Sequence, residues 1–179
     1  FSLIERVSLT TGDGANLIDA SAFAGGVDVS SGGGADTIIG SAAGDSINSG
    51  SGADSVTGGN GDDTIQGGPD DDTLLGGVGS DALSGGNGND RIDGGGGGDA
   101  LTGGAGRDTL IGGTGTDSLI EVDDALSVVV TNTSLSGYSA SGNDSLGGIE
   151  SVQLILGAGS SMIDAQALTI PLVVFAGAG

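Results

Sequence analysis

The sequence predicts an all-β fold, a parallel β-solenoid, on three observations. A nine-residue unit repeats ten times in tandem over residues 31–120, without insertion or deletion. Its sixth position is Asp in every unit and its eighth is aliphatic in every unit. Glycine recurs at fixed offsets, at position one in eight units, position two in nine and position four in eight. In register the units read SGGGADTII, GSAAGDSIN, SGSGADSVT, GGNGDDTIQ, GGPDDDTLL, GGVGSDALS, GGNGNDRID, GGGGGDALT, GGAGRDTLI and GGTGTDSLI.

Each constraint has a physical meaning. Glycine at fixed offsets marks backbone that visits positive φ or lies against another chain segment, so the first six residues of a unit are expected to form a turn. The last three then make a short strand whose single apolar side chain points inward. Those side chains are Ile38, Ile47, Val56, Ile65, Leu74, Leu83, Ile92, Leu101, Leu110 and Leu119. Stacked units pair each strand with the coil above and below. One aliphatic residue per unit is a thin core, so the turns need a further source of stability. A carboxylate every nine residues amid glycine backbone is an all-oxygen environment of the kind a hard cation such as Ca²⁺ prefers.

The pattern resembles the repeats-in-toxin (RTX) nonapeptide GGxGxDxUx, in which U is a large aliphatic residue. The resemblance implies a right-handed parallel β-roll with two units per coil and Ca²⁺ between turns stacked eighteen residues apart. It implies two ligand columns: Asp36, Asp54, Asp72, Asp90 and Asp108 on one edge, and Asp45, Asp63, Asp81, Asp99 and Asp117 on the other. Backbone carbonyls of turn residues such as Gly59, Gly61, Gly77, Gly79, Gly86, Gly88, Gly104 and Gly106 would complete the shells. Two units depart at position four, which is Ala43 in one and Asp70 in the other. Asp tolerates the left-handed region better than Ala, so the Ala43 turn is the weaker candidate. A column of Asp could also be a solvated acidic edge or a set of Asx turns. Like charges one coil apart would repel in that case.

The flanks read as worn versions of the same architecture. Residues 1–30 are expected to be degenerate solenoid coils with longer, metal-poorer turns. They contain TGDGANLID, with Asn16 at the metal position as a weak carbonyl ligand and Ile18 at the core position. Residues 121–148 lose the period and form a β-strand spacer, whose Val128, Val129 and Val130 favour strand. Within it Asp144 repeats the Gly-x-Asp-x-aliphatic spacing and is a second weak candidate ligand. Residues 149–179 align without a gap on 4–34 at an offset of 145, with Ile149-Glu150 on Ile4-Glu5 and Asp164-Ala165 on Asp19-Ala20. Ser161 replaces Asn16 in this second copy. The alignment suggests one module and the start of the next, cut from a longer array. The apolar run Ile170 to Phe175 is short and broken by Pro171, and reads as a buried strand.

Composition narrows the function. The chain has 41 glycines and no lysine, histidine or cysteine, and its charge of −21 sets 21 Asp and 3 Glu against Arg6, Arg91 and Arg107. Such a chain repels nucleic acid and anionic membrane, and no apolar run is long enough to cross a bilayer. Catalysis is not expected, since the dense carboxylates are periodic and the cluster Asp70, Asp71 and Asp72 includes a column residue. An ice-binding face is not expected either, because positions three and five show no ranked Thr or Asn. The module pattern resembles large bacterial surface proteins of adhesin, surface-layer or filament type. That resemblance implies a secreted, calcium-dependent structural module at the cell surface, exported unfolded by a one-step secretion system. Its partners would be identical neighbouring modules in the chain, with self-association into filaments or a surface layer. Alternatives are the stalk of a giant adhesin, or the calcium-folding secretion domain of an exported hydrolase.

Overall fold

The computed structural model describes residues 5–123, 127–130, 134–136, 144–147, 149–156, 162–164 and 170–175. Every regular element among them is a β-strand, and the strands alternate between two sheets as the chain coils. The first sheet stacks β1 (Arg6–Thr10), β3 (Gly26–Ser30), β5 (Ser46–Asn48), β7 (Thr64–Pro69), β9 (Ala82–Asn87), β11 (Ala100–Ala105), β13 (Ser118–Asp123), β17 (Ser151–Leu156) and β19 (Leu172–Phe175) in that order. The second stacks β2 (Leu17–Asp19), β4 (Thr37–Ile39), β6 (Ser55–Asn60), β8 (Thr73–Val78), β10 (Arg91–Gly97) and β12 (Thr109–Gly115). It then continues through β16 (Asp144–Gly147), β15 (Ser134–Ser136), β14 (Ser127–Val130) and β18 (Met162–Asp164).

Within the repeat block the parallel register advances by two units per coil, so that Ile38 pairs with Val56, Val56 with Leu74, Ile47 with Ile65 and Ile65 with Leu83. The ten aliphatic side chains form a single file between the sheets, each no more than 2% exposed. Their alternation between sheets follows from each unit supplying one strand and one turn, half of an eighteen-residue coil.

The strands are longer than the last three residues of each unit. From β6 to β12 they run six or seven residues, through the glycine pair that opens the next unit. That pair is extended enough to ladder with its counterpart one coil away, as in Gly59 with Gly77 and Asn60 with Val78. Only β4 and β5 keep the short form.

The leading coils are wider. Arg6 pairs with Gly26 and Leu17 with Thr37, twenty residues per coil, before the spacing settles to eighteen at Asp28 with Ser46. The same wide coil recurs at the far end, where Val152 pairs with Leu172 as Val7 pairs with Val27. β17, β18 and β19 therefore occupy the positions that the offset of 145 assigns from β1, β2 and β3.

The spacer is handled differently by the two sheets. In the first, β17 lies directly on β13 in parallel register, Ser118 on Ser151 through Asp123 on Leu156. In the second, β14, β15 and β16 are inserted with antiparallel pairings, β16 lying parallel on β12. The run Leu172–Phe175 is a strand as expected, but it is not buried: Val173, Val174 and Phe175 are all exposed. β19 is the last strand of its sheet among the described residues.

Candidate metal centre

The two turn columns bring the ten Asp residues into the interior of the stack. Each is at most 3% exposed, so these carboxylates are not a solvated acidic edge. One oxygen of each is used in the same way along the stack. Asp36 N–H donates to Asp54 Oδ1 at 2.7 Å, Asp54 to Asp72 and Asp72 to Asp90 at 2.8 Å, and Asp90 to Asp108 at 2.8 Å. In the other column Asp45 donates to Asp63 at 2.8 Å, and Asp63, Asp81 and Asp99 each donate at 2.9 Å to the next Asp. At the end of this column Asp117 N–H donates instead to Glu150 Oε2 at 2.7 Å.

The second oxygen is the informative one. Oδ2 of Asp36, Asp54, Asp63, Asp72, Asp81, Asp90, Asp99 and Asp117 is buried without a hydrogen-bond partner. A buried carboxylate oxygen in that condition is costly, and natural structures seldom leave one so. Its surroundings are carbonyls. A Cβ placed on Gly67 would collide with Asp72 Oδ2 and lie 2.8 Å from the Gly85 carbonyl oxygen. Gly58 stands in the same relation to Asp63 and the Gly76 carbonyl at 2.7 Å, and Gly94 to Asp99 and the Gly112 carbonyl at 2.7 Å. Position one is therefore glycine because Oδ2 and a carbonyl oxygen from the next coil converge there. These position-one carbonyls were not among the expected ligands; their signal was the near-invariance of the first glycine itself.

The carbonyls that were expected stack along the columns. Gly59, Gly77, Gly86 and Gly104 at position two, and Gly61, Gly79, Gly88 and Gly106 at position four, all have positive φ. A Cβ on Gly77 would collide with the Gly59 carbonyl, and one on Gly79 with that of Gly61. Asp70 is the one non-glycine among the described residues with positive φ, at 84°. Ala43 avoids that region, so its turn has a different backbone.

Burial also shifts the carboxyls. Desolvation, with the charge of neighbouring turns added and backbone hydrogen bonds opposing, pushes Asp63 and Asp72 up to about 7 and Asp90 up to about 6. Asp54, Asp81, Asp99 and Asp108 are raised for the same leading reason. Groups that resist ionisation in isolation and face carbonyl oxygens fit a divalent cation, which favours the charged form. Among the described residues no three carboxylates converge on one point, so carbonyls must supply much of any shell.

A family model of four RTX calcium-binding nonapeptide repeats matches residues 30–65, 49–83, 57–92, 66–101 and 84–119, together half of the chain. The chain belongs to the RTX calcium-binding repeat family. No curated protein and no solved structure matches it. Calcium is thus the ion for which the RTX turns are built. Bound there, Ca²⁺ would neutralise the stacked carboxylates and give the second Asp oxygen a partner.

Two residues, Asn16 and Asp45, depart from the RTX arrangement. Asn16 was expected to offer its carbonyl oxygen to a cation. Instead its side-chain Nδ2 donates to the carbonyls of Gly12, at 3.1 Å, and Gly14, and to Asp36 Oδ1 at 3.2 Å. An amide N–H group fills the turn where a cation would accept those oxygens. Asp45 has both oxygens satisfied, Oδ2 by Ser41 N–H at 2.6 Å and Oδ1 by the Ser41 hydroxyl at 2.7 Å and Val27 N–H at 2.8 Å. Asp144 is placed by the backbone at the column register, since Ser145 pairs with Thr109 and Leu146 with Leu110. Its side chain lies outside the described residues, as does Ser161.

Proposed function

We propose that this chain is a calcium-dependent structural module of an exported surface or filament protein, whose modules stack end to end into a continuous rod. The observation that carries the reading is the junction at β13 and β17. There the copy of the module's first strand lies in register on the last strand of the repeat block. Glu150 accepts the Asp117 N–H at the place where every earlier coil supplies an Asp oxygen, and its own N–H and that of Ser151 donate to the Asp117 carbonyl at 3.0 and 3.1 Å. Glu5 is the matching residue of the first copy.

A junction that reproduces the coil-to-coil bonds needs no linker, so successive modules continue one solenoid rather than hang as beads. Export is supported by the family, whose repeats are typical of exported proteins. The chemistry is consistent with it: an acidic, glycine-rich chain stays open where calcium is scarce and folds where it reaches about 10⁻⁴ to 10⁻³ M. Its partners in this reading are neighbouring modules and other copies, and it performs no catalysis.

Electron microscopy of the full-length protein in millimolar calcium, and again after chelation, tests the reading. Ordered filaments or sheets that dissolve on chelation are expected for a calcium-built polymer. Isolated thin rods that collapse would make it the stalk of an adhesin, and compact particles without rods would end the stacking hypothesis.

A further inference from the structure

We infer that the leading turns of the solenoid, those of Asn16 and Asp45, take no calcium: hydrogen bonds from Asn16 and Ser41 replace the ion, and the leading coils form a metal-independent end on which the calcium-bound coils build. The inference rests on the calcium reading of the block and assigns to particular residues where that reading stops.

Four observations converge. The Asn16 amide ties down the carbonyls of Gly12 and Gly14 in its own turn and reaches Oδ1 of Asp36 in the next coil, while Asp36 Oδ2 stays without a partner. Ser41 stands at position two, where the other nine units have Gly, and is 4% exposed. Its hydroxyl donates to Asp45, and it also receives Ala43 N–H at 3.2 Å, so the turn closes on itself without positive φ. Unlike Asp63 or Asp72, Asp45 has no bare oxygen.

The same turn already has a cation. Arg6 Nη1 donates to the Gly44 carbonyl at 3.2 Å while the rest of its guanidinium holds Asp28. Position-one carbonyls are also claimed in these coils by a hydroxyl ladder: Thr11 donates to the Ser31 carbonyl at 2.8 Å, Ser31 to that of Ser49 at 2.6 Å, and Ser49 to that of Gly67 at 3.0 Å. Where position one is Gly, the carbonyl of the next coil faces Oδ2 instead, in the Asp45 turn at Gly40 as in the block, but in the Asp45 turn Ser41 N–H already satisfies that oxygen.

The core supports the same division. β3 alone buries both Val27 and Val29, and Ile18 and Ala20 are buried beside half-buried Val7, Leu9 and Phe23. The block offers one aliphatic per unit. More apolar burial and fewer unpaired carboxylate oxygens make the leading coils the part that can stand without metal.

Hydrogen exchange by mass spectrometry on the unmodified chain, in calcium and in excess chelator, decides the matter. Expected in chelator is exchange at least about tenfold slower over residues 17–48 than over 55–115, with both protected in calcium. Protection lost equally along the whole solenoid on chelation would overturn the inference and leave the calcium reading standing. A block equally protected in both buffers would overturn the calcium reading and the inference with it. Calcium counting by equilibrium dialysis gives a second readout. Asp45→Asn should leave the number of bound ions unchanged while Asp72→Asn lowers it, and Asn16→Asp and Ser41→Gly should each raise it by about one. A drop on Asp45→Asn overturns the assignment.

Discussion

The repeat block and the leading coils solve the same problem with different chemistry. Both stack parallel strands over a narrow apolar file, and both must satisfy the polar groups of tight turns inside the stack. From Gly58 onward the turns are glycine and carboxylate, and Asp63, Asp72, Asp81, Asp90, Asp99 and Asp117 each leave Oδ2 bare, as Asp36 and Asp54 do before it. Before it, Asn16, Ser31, Ser41 and Ser49 stand in the turns and donate hydrogen bonds that a glycine cannot. Ser41 satisfies both oxygens of its own unit's Asp45, whereas the serines at position one leave Oδ2 of Asp36 and Asp54 bare, as the glycine turns do. If the block folds on calcium as proposed, the difference sets that dependence unit by unit.

Calcium removal gives the largest contrast. In excess chelator the block from β6 to β12 should lose its far-ultraviolet β signal and its resistance to protease, because the buried carboxylates repel and lack partners. Limited proteolysis followed by mass spectrometry of the fragments checks this: cuts should concentrate in 55–115. Uniform resistance in chelator would erase the distinction between the two regions.

Acid should act next most strongly, and in a definite direction. Asp63 and Asp72 rise to about 7 and Asp90 to about 6 in the folded chain, against about 3.9 when unfolded. A raised folded pKa means that the native block binds more protons than the unfolded chain. Its contribution is therefore fully present below about pH 4 and is lost as pH rises through 6 to 7. Without calcium the block should fold on acidification from pH 8 to pH 5, as followed by circular dichroism. With calcium, binding near pH 6 should release protons, which calorimetry in buffers of different ionisation enthalpy measures. A calcium-free block whose β content is indifferent to pH would mean that these carboxyls are not buried as described.

Glycine substitutions sharpen the comparison at the next scale. Gly77→Ala puts a Cβ into the Gly59 carbonyl at φ 115°, and a loss of about 1 to 3 kcal/mol in calcium is expected from thermal or denaturant melts. Gly12→Ala in the leading coils meets nothing within 4 Å and has no positive φ, so it should be close to neutral.

Much of this was legible in the sequence, and the residues that were not share a reason. The Asp and aliphatic columns declared the solenoid, because a strict period leaves each side chain one role, and the resemblance to the RTX nonapeptide implied its two-unit coil. The repeat at offset 145 pointed to a second copy of the opening coils, and β17, β18 and β19 lie at that offset from β1, β2 and β3. What stayed hidden was the meaning of exceptions. Ser41 in a glycine column looks like drift until its hydroxyl is found on Asp45. Asn16 reads as a ligand by analogy with Asp, yet an amide has a donor end, and the turn used it. Strand length was underestimated because glycine pairs predict turns locally, while stacking against an identical pair one coil away extends them. The exposure of Phe175 likewise depends on which strand stacks next, not on hydropathy.

The smallest expected effect isolates backbone strain from charge. Position four takes positive φ in every unit except that of Ala43, and Asp70 supplies it at 84° without glycine's freedom. It also adds a negative charge that raises Asp72 and Asp54. Asp70→Gly should stabilise the calcium-bound block by about 0.5 to 1 kcal/mol, the relief of the left-handed residue being partly offset by the greater freedom of glycine when unfolded. Asp70→Asn removes the charge and keeps a residue that tolerates the same region, so it should capture the electrostatic part alone. At the equivalent place in the leading coils, Ala43 has no positive φ. Ala43→Gly there relieves nothing and should cost about 0.4 to 1 kcal/mol through the unfolded state. Opposite signs for one substitution type at one position of the unit would establish that the two turns have different backbones in solution. The same sign at both, in melts run in saturating calcium, would mean that Ser41 does not reshape its turn.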